Sequence, residues 1–237
     1  MKYMGRRWVA LAAMVLLLLT GCGQQPAALP TGQMEVHFID VGQGDSALIR
    51  TEDHAMLIDA GTNEAGEDVV SYLKEQGVQK LDYVVGTHPH EDHIGGLDDV
   101  IEAFDVEHVV LPDKVSTTKT YEEVLDAVDA KNLSVTVPQP GEEFSLGEGK
   151  VEVLSPPQDA GWDFGENSFL FMGDAETQAE KELLKQGADV KSQVLKLGHH
   201  GSDTSTSQEF LQQVAPQYGV ISVGKGNVYG HPEDRVL

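Results

Sequence analysis

From Met34 onward, apolar residues recur in two rhythms, strict alternation over short runs and a helical spacing over longer ones. "MEVHFIDV" and "SALIRT", joined by the turn "GQGD", read as a hairpin, and "HAMLIDAG" reads as a third strand that stops at a glycine. Glu67 to Gln76 sets Val69, Val70 and Leu73 on one helical face. A strand over Leu81 to Val85, a helix near Leu97 to Phe104, the strand "EHVVLP" and a helix around Tyr121 to Ala130 follow. "LSVTV", "KVEVLSP" and "NSFLFMG" read as strands, "ETQAEKELLKQG" as a helix and "SQVLKLG" as a strand; a helix over Gln208 to Val214 and the strand "YGVISVG" come last. Early hairpins followed by mixed units, with no internal repeat, predict an α/β sandwich. The chain of 237 residues is long enough for one such domain and its core.

The first residues break this rhythm. Lys2, Arg6 and Arg7 precede an apolar run from Trp8 to Leu19, and "LTGC" follows. This is the pattern of an export signal, and the run is too short for a comfortable membrane span. Cys22, the only cysteine, closes that stretch, which resembles the lipobox of bacterial lipoproteins. The resemblance implies cleavage before Cys22, its lipidation, and a chain exported and anchored to the outer face of the bacterial cytoplasmic membrane; an ordinary export signal with an incidental cysteine is the alternative. The expected organisation is a signal over 1–22, a flexible tether over 23–33 and one folded domain over 34–237.

Setting the signal aside changes the charge. Residues 1–21 hold three basic and no acidic residues, so 13 basic and 39 acidic remain, a net charge of −26. Such a chain is ill suited to binding nucleic acid through lysine and arginine alone. An anionic substrate would have to be held mainly by bound metal.

The densest chemistry is "THPHEDHIGG", directly after the apolar "LDYVV". In an extended loop, alternate residues point the same way, so His88 and His90 can converge on one ion while Asp92 and His93 turn toward a neighbouring one. Gly95 and Gly96 permit a tight turn and a close helix start. A His-Glu-x-x-His helix pair is absent, which disfavours a helical protease site. Asp174, in "GDAE" after an apolar strand, suits either a metal-bridging carboxylate or the N-cap of the helix that follows.

His-x-His-x-Asp-His is the signature of the metallo-β-lactamase superfamily. With "HFIDVGQGDSALI", "LIDAG", "FMGDAE", "LKLGHHGS" and "GNVYGHP" in this order, the chain from Met34 to His231 resembles the soluble hydrolase domain of ComEC-type competence proteins and their stand-alone relatives. The resemblance implies a four-layer αββα sandwich with two divalent ions, zinc or manganese, at the edges of its sheets. Carried over, His88 and His90 are ligands of the first ion, Asp92 and His93 of the second, and Asp174 bridges them. One of His199 and His200 completes the second site; His199 is favoured, with His200 behind it. Asp59 in "LIDAG" buttresses the histidine loop from behind, although a simple strand-end turn would also explain it.

The activity implied is metal-assisted hydrolysis, with Asp92 orienting the nucleophile or accepting its proton and His231 near the substrate, unless His231 is an ordinary turn residue. The substrate implied is a phosphodiester, DNA during uptake. A small ester, lactone or lactam is the alternative on the same metals, and a lipid-anchored, non-catalytic binding module is a further one. The sequence names no protein partner. Two departures from the family pattern stand out. A strand before "FLFMGD" is expected to be missing, with Ser155 where relatives often have a histidine, and the chain stops at "HPEDRVL", where a terminal helix of the family starts.

Overall fold

The structure, a computed structural model, describes residues 29–154, 160–164 and 167–237. The expected signal with Cys22, most of the tether, and Ser155 lie outside the described residues.

The first sheet follows chain order: β1 (Glu35–Phe38), β2 (Ser46–Arg50), β3 (Ala55–Ala60), β4 (Lys80–Val85), β5 (Asp105–Val110) and β6 (Val135–Thr136). β1, β2 and β3 pair antiparallel, as the two early hairpins require, and β3 to β6 pair parallel. Parallel neighbours need crossovers. These are supplied by α1 (Gly66–Glu75), the single turn α2 (Glu91–Ile94) with α3 (Leu97–Ala103), and α4 (Lys119–Ala130). The second sheet holds β7 (Glu143–Leu146), β8 (Gly149–Glu152), β9 (Ala160–Phe164), β10 (Asn167–Phe171), β11 (Val194–Lys196) and β12 (Tyr218–Val220), in the order β12-β11-β10-β9-β8-β7. Its crossovers contain α5 (Thr177–Gln186) and α6 (Gln208–Val214).

Period-two alternation makes this a four-layer molecule. Leu48, Leu57, Val84 and Val109 point to one face of the first sheet and pack with Val69, Leu73, Leu97, Ile101 and Val124 of the helices. Their neighbours Ile49, Met56, Ile58, Val85 and Val110 point the other way and meet Leu146, Val151 and Phe171 of the second sheet. A third cluster, with Leu170, Leu195, Leu183 and Phe210, seats α5 and α6 on the far face of that sheet. The expected αββα sandwich is therefore observed.

One expectation is corrected. The strand thought to be missing is present: β9 pairs antiparallel with β10, Phe164 opposite Asn167 through Ala160 opposite Phe171, and with β8 on its other side. Ala160, Gly161 and Asp163 have weak strand propensity, so the segment reads as loop, but two flanking strands satisfy its backbone and override that preference. β7 also escapes the sequence pattern, and "LSVTV" shrinks to Val135–Thr136. Among the described residues, no helix is long and apolar enough to cross a membrane.

Candidate metal centre

The parallel strands β3, β4, β10 and β11 all end at one edge of the sandwich, the usual place for a site in such sheets. Asp59 is the penultimate residue of β3, Thr87 to His93 follow β4, Asp174 follows β10, and His199 and His200 follow β11. Gly95 lies where a Cβ would fall on the backbone of Thr62 and Asn63, so its absence lets the histidine loop close against the end of β3.

Two groups of ligand atoms meet there. Asp92, His93, Asp174 and His200 form one, and His88, His90 and Asp174 form the other. Asp174 belongs to both through different oxygens. Its Oδ1 lies 3.2 Å from His93 Nε2 and 3.5 Å from His200 Nε2, while its Oδ2 lies 3.4 Å from His88 Nε2. Asp92 Oδ2 is 3.3 Å from His200 Nε2, and His88 Nε2 is 3.1 Å from His90 Nδ1. α5 begins at Thr177 with Glu176 at its N-cap, so Asp174 is not taken up by helix capping.

The proton positions on three histidines follow from their other partners. Asp59 accepts hydrogen bonds from Thr87 N at 2.8 Å, Thr87 Oγ1 at 2.6 Å and His93 Nδ1 at 2.8 Å. With its hydroxyl proton given to Asp59, Thr87 Oγ1 accepts from His88 Nδ1 at 3.2 Å. His200 Nδ1 donates to Ser222 O at 3.0 Å. Each ring then has its Nδ1 proton accounted for and turns Nε2 inward as the atom that a metal would take. His93 Nε2, His200 Nε2 and Asp174 Oδ1 are buried without a hydrogen-bond partner. Lone pairs gathered this way repel one another unless a cation sits among them. Their spacing suits one: ligand bonds of about 2.0–2.2 Å place tetrahedral donors roughly 3.3–3.6 Å apart. The donor set thus fits divalent metal.

The surroundings favour positive charge. Burial opposes charge on His93, but Asp59 and Asp174 outweigh it and hold its pKa well above the ordinary value. His200 is likewise disfavoured by burial and pushed up to about 9 by Asp45 and Asp92. Asp174 would be raised by burial, yet His88 and His93 hold it well below the usual carboxylate range.

Of the adjacent pair, the structure brings His200 into the four-residue group and leaves His199 outside it. Both residues have positive φ, 47° and 52°, a left-handed turn that sends the two rings in different directions. His200 is 2 % exposed, whereas His199 is half-buried, with Nδ1 3.1 Å from Glu176 Oε1 and Nε2 3.9 Å from Asp174 Oδ2. His231 lines the same cleft, of about 840 Å³, with its ring 5.8 Å from that of His199.

Sequence reasoning passed over a buried ion pair behind the site. Asp45, from the "GQGD" turn, accepts from Lys196 Nζ at 2.8 Å, and both residues are buried. Asp45 Oδ1 lies 3.5 Å from His200 Nδ1, and the Asp45 backbone donates to Asp92 O at 3.1 Å. One residue therefore ties the end of β11 to the histidine loop, joining the two half-sites. The only signal was an aspartate in a tight turn, which a turn alone explains.

Residues 39–225 match the metallo-β-lactamase superfamily. The chain is 32 % identical over 232 residues to ComE operon protein 3 of Bacillus subtilis, covering 86 % of this chain and 30 % of that protein. It is 35 % identical over 239 residues to competence protein ComA of Neisseria gonorrhoeae, covering 97 % of this chain and 33 % of that protein. The chain thus spans about a third of the length of these curated relatives. Among solved structures, the metallo-β-lactamase fold protein YhfI from Bacillus subtilis superposes with a TM-score of 0.59 at 12 % identity, covering 86 % of this chain and 91 % of that one. The chain belongs to the metallo-β-lactamase superfamily and is a metal-dependent hydrolase of that fold.

Proposed function

We propose that this chain is a two-metal phosphodiesterase that cleaves DNA in a competence setting, held by a lipid on Cys22 at the outer face of the bacterial cytoplasmic membrane. The observation that carries the two-metal reading is Asp174, whose two oxygens face two separate sets of histidines. In this reading His88 Nε2, His90 Nδ1 and Asp174 Oδ2 hold one ion, and Asp92, His93 Nε2, His200 Nε2 and Asp174 Oδ1 hold the other. Bound there, a pair of divalent ions, zinc or manganese, supplies Lewis acidity and an activated water.

The remaining chemistry falls to side chains. Asp92 keeps a third of its side chain exposed beside the cleft and is placed to orient the nucleophile and accept its proton. Asp59 and Ser222 O keep the protons of His93 and His200 on the nitrogens that face away from the cleft. His231, which lines the cleft beside His199, is placed to meet a phosphate oxygen or the leaving group. A relative named as a competence protein supports the competence setting, and the DNA substrate is inferred from that setting.

The test is cleavage of single- and double-stranded DNA with Mn²⁺ or Zn²⁺ and with a chelator. Metal-dependent cleavage that Asp174→Ala abolishes is expected. No cleavage with either metal, together with turnover of a lactone or lactam, overturns the reading.

A further inference from the structure

A nucleic-acid strand is ordinarily held by cations on its phosphates, and here two of the cations near the site are engaged elsewhere, while Lys114 is exposed and near enough to His90 to oppose its charging. Lys196 is buried against Asp45 and donates to Leu197 O at 3.0 Å. The Arg235 guanidinium is taken up by the carbonyls of Ser202, Asp203, Ser205 and Thr206. Among the described residues, no lysine or arginine lines the cleft, while Glu176 and Glu182 do. Lys225 is exposed on the loop that leads to the rim.

That loop carries a different kind of contact. Tyr229 lines the cleft with 65 % of its surface exposed. An exposed tyrosine alone means little; its setting gives it weight. Asn227 Nδ2 donates to Gly224 O at 3.1 Å and His231 O at 2.7 Å, and Asn227 Oδ1 accepts from the backbone N of Tyr229 and of His231, both at 3.1 Å. Gly224 N donates to Gln43 Oε1 at 2.9 Å, which fastens the loop across to the "GQGD" turn. The ring is thus presented on a braced backbone. It lies nearly parallel to His231, 19° between planes and 5.9 Å between centroids, and the His231 ring leads on to His199 beside Asp174.

We infer that Tyr229 is a stacking platform for a nucleobase flanking the scissile phosphate, so that the cleft takes single-stranded nucleic acid by a base as well as by its phosphate. This rests on the phosphodiesterase reading for the position of the phosphate. Stacking needs no cation, tolerates any base, and requires a base out of its duplex, so it suits an acidic cleft and selects single strands. Base stacking of this kind corresponds to about a five- to 150-fold change in binding per base.

The experiment uses the full chain loaded with Mn²⁺, and a single-stranded oligonucleotide carrying 2-aminopurine. The wild type is expected to quench the 2-aminopurine on binding, and Tyr229→Ala to lose that quenching and raise KM by about five- to 150-fold with little change in kcat. Tyr229→Phe and Tyr229→Trp should restore both, because the ring is the working part. An abasic site beside the scissile bond should raise KM for the wild type and leave Tyr229→Ala no further change. Quenching and KM unaltered in Tyr229→Ala, with its manganese content equal to wild type, would overturn the inference. Tyr229-dependent quenching without cleavage would uphold the platform and remove the phosphodiesterase reading instead; cleavage without any quenching would do the reverse.

Discussion

The two ligand groups share Asp174 and are otherwise built differently. The Asp92, His93, Asp174 and His200 group offers four protein donors, and its two histidines are buried and each fixed through Nδ1, to Asp59 and to Ser222 O. The His88, His90 and Asp174 group offers three, and His90 is exposed at the cleft. Sites with a full protein shell hold metal firmly, whereas sites with an open position exchange ligands and admit substrate. On the proposed two-metal reading, the difference gives retention to the four-donor group and substrate access to the three-donor group.

The largest expected effect comes from the shared residue. Asp174→Asn should lower metal content in both groups and cut hydrolysis on the order of 10³-fold, measured by elemental analysis and single-turnover rates. A variant that keeps one tightly held ion and most of its rate would show that the groups are independent. Next is the ion pair behind His200. Lys196→Met should destabilise the fold by about 3–5 kcal/mol in denaturant titrations, since Asp45 is left buried and unpaired, while the double variant with Asp45→Leu should recover much of that loss. A single variant as stable as wild type would show that the pair does not brace the half-sites.

Asp59→Asn bears on one group first. It weakens the hold on His93 and should reduce affinity for the more tightly bound ion by about 10- to 100-fold, read by competition with a chelator. An equal loss at both ions would erase the proposed division. The smallest metal effect should be that of His199→Ala, whose content should stay near wild type while His200→Ala loses an ion; the opposite pattern would exchange the two histidines. Salt should matter little as well. With Lys225 on the rim loop and Lys114 near His90 as exposed cations, the slope of log affinity against log salt should match about two phosphate contacts.

These contrasts also explain what could be read from the chain. His88 to His93 was legible because one short segment carries all of these donors; it is extended up to His90 and then, unlike the expected extended loop, makes a helical turn that holds Asp92 and His93. Asp174 was open in the sequence between bridge and cap; α5 has Glu176 as its N-cap, which speaks against the cap, and the bridge is the reading proposed. His199 and His200 are chemically identical neighbours that differ only in direction, and that direction is set by two consecutive left-handed residues no spacing rule announces. Asp45 and Lys196 meet only because the sheets stack, a contact with no local trace. The strand alternation and helical faces gave the four layers, whereas β9, with Gly161 and Asp163 in its run, forms because its neighbours pair with it.

A manganese titration of the full chain followed by electron paramagnetic resonance reads whether a pair of ions joined by one carboxylate forms. Two-metal sites hold their ions about 3.5–4 Å apart, close enough for the spins to couple. Uptake of about two ions per chain is expected, with an uncoupled spectrum while the four-donor group fills, a coupled one as the second ion enters, and no coupling in Asp174→Asn. A single uncoupled ion at saturation, or a coupled pair that survives loss of Asp174, would contradict the two-metal reading.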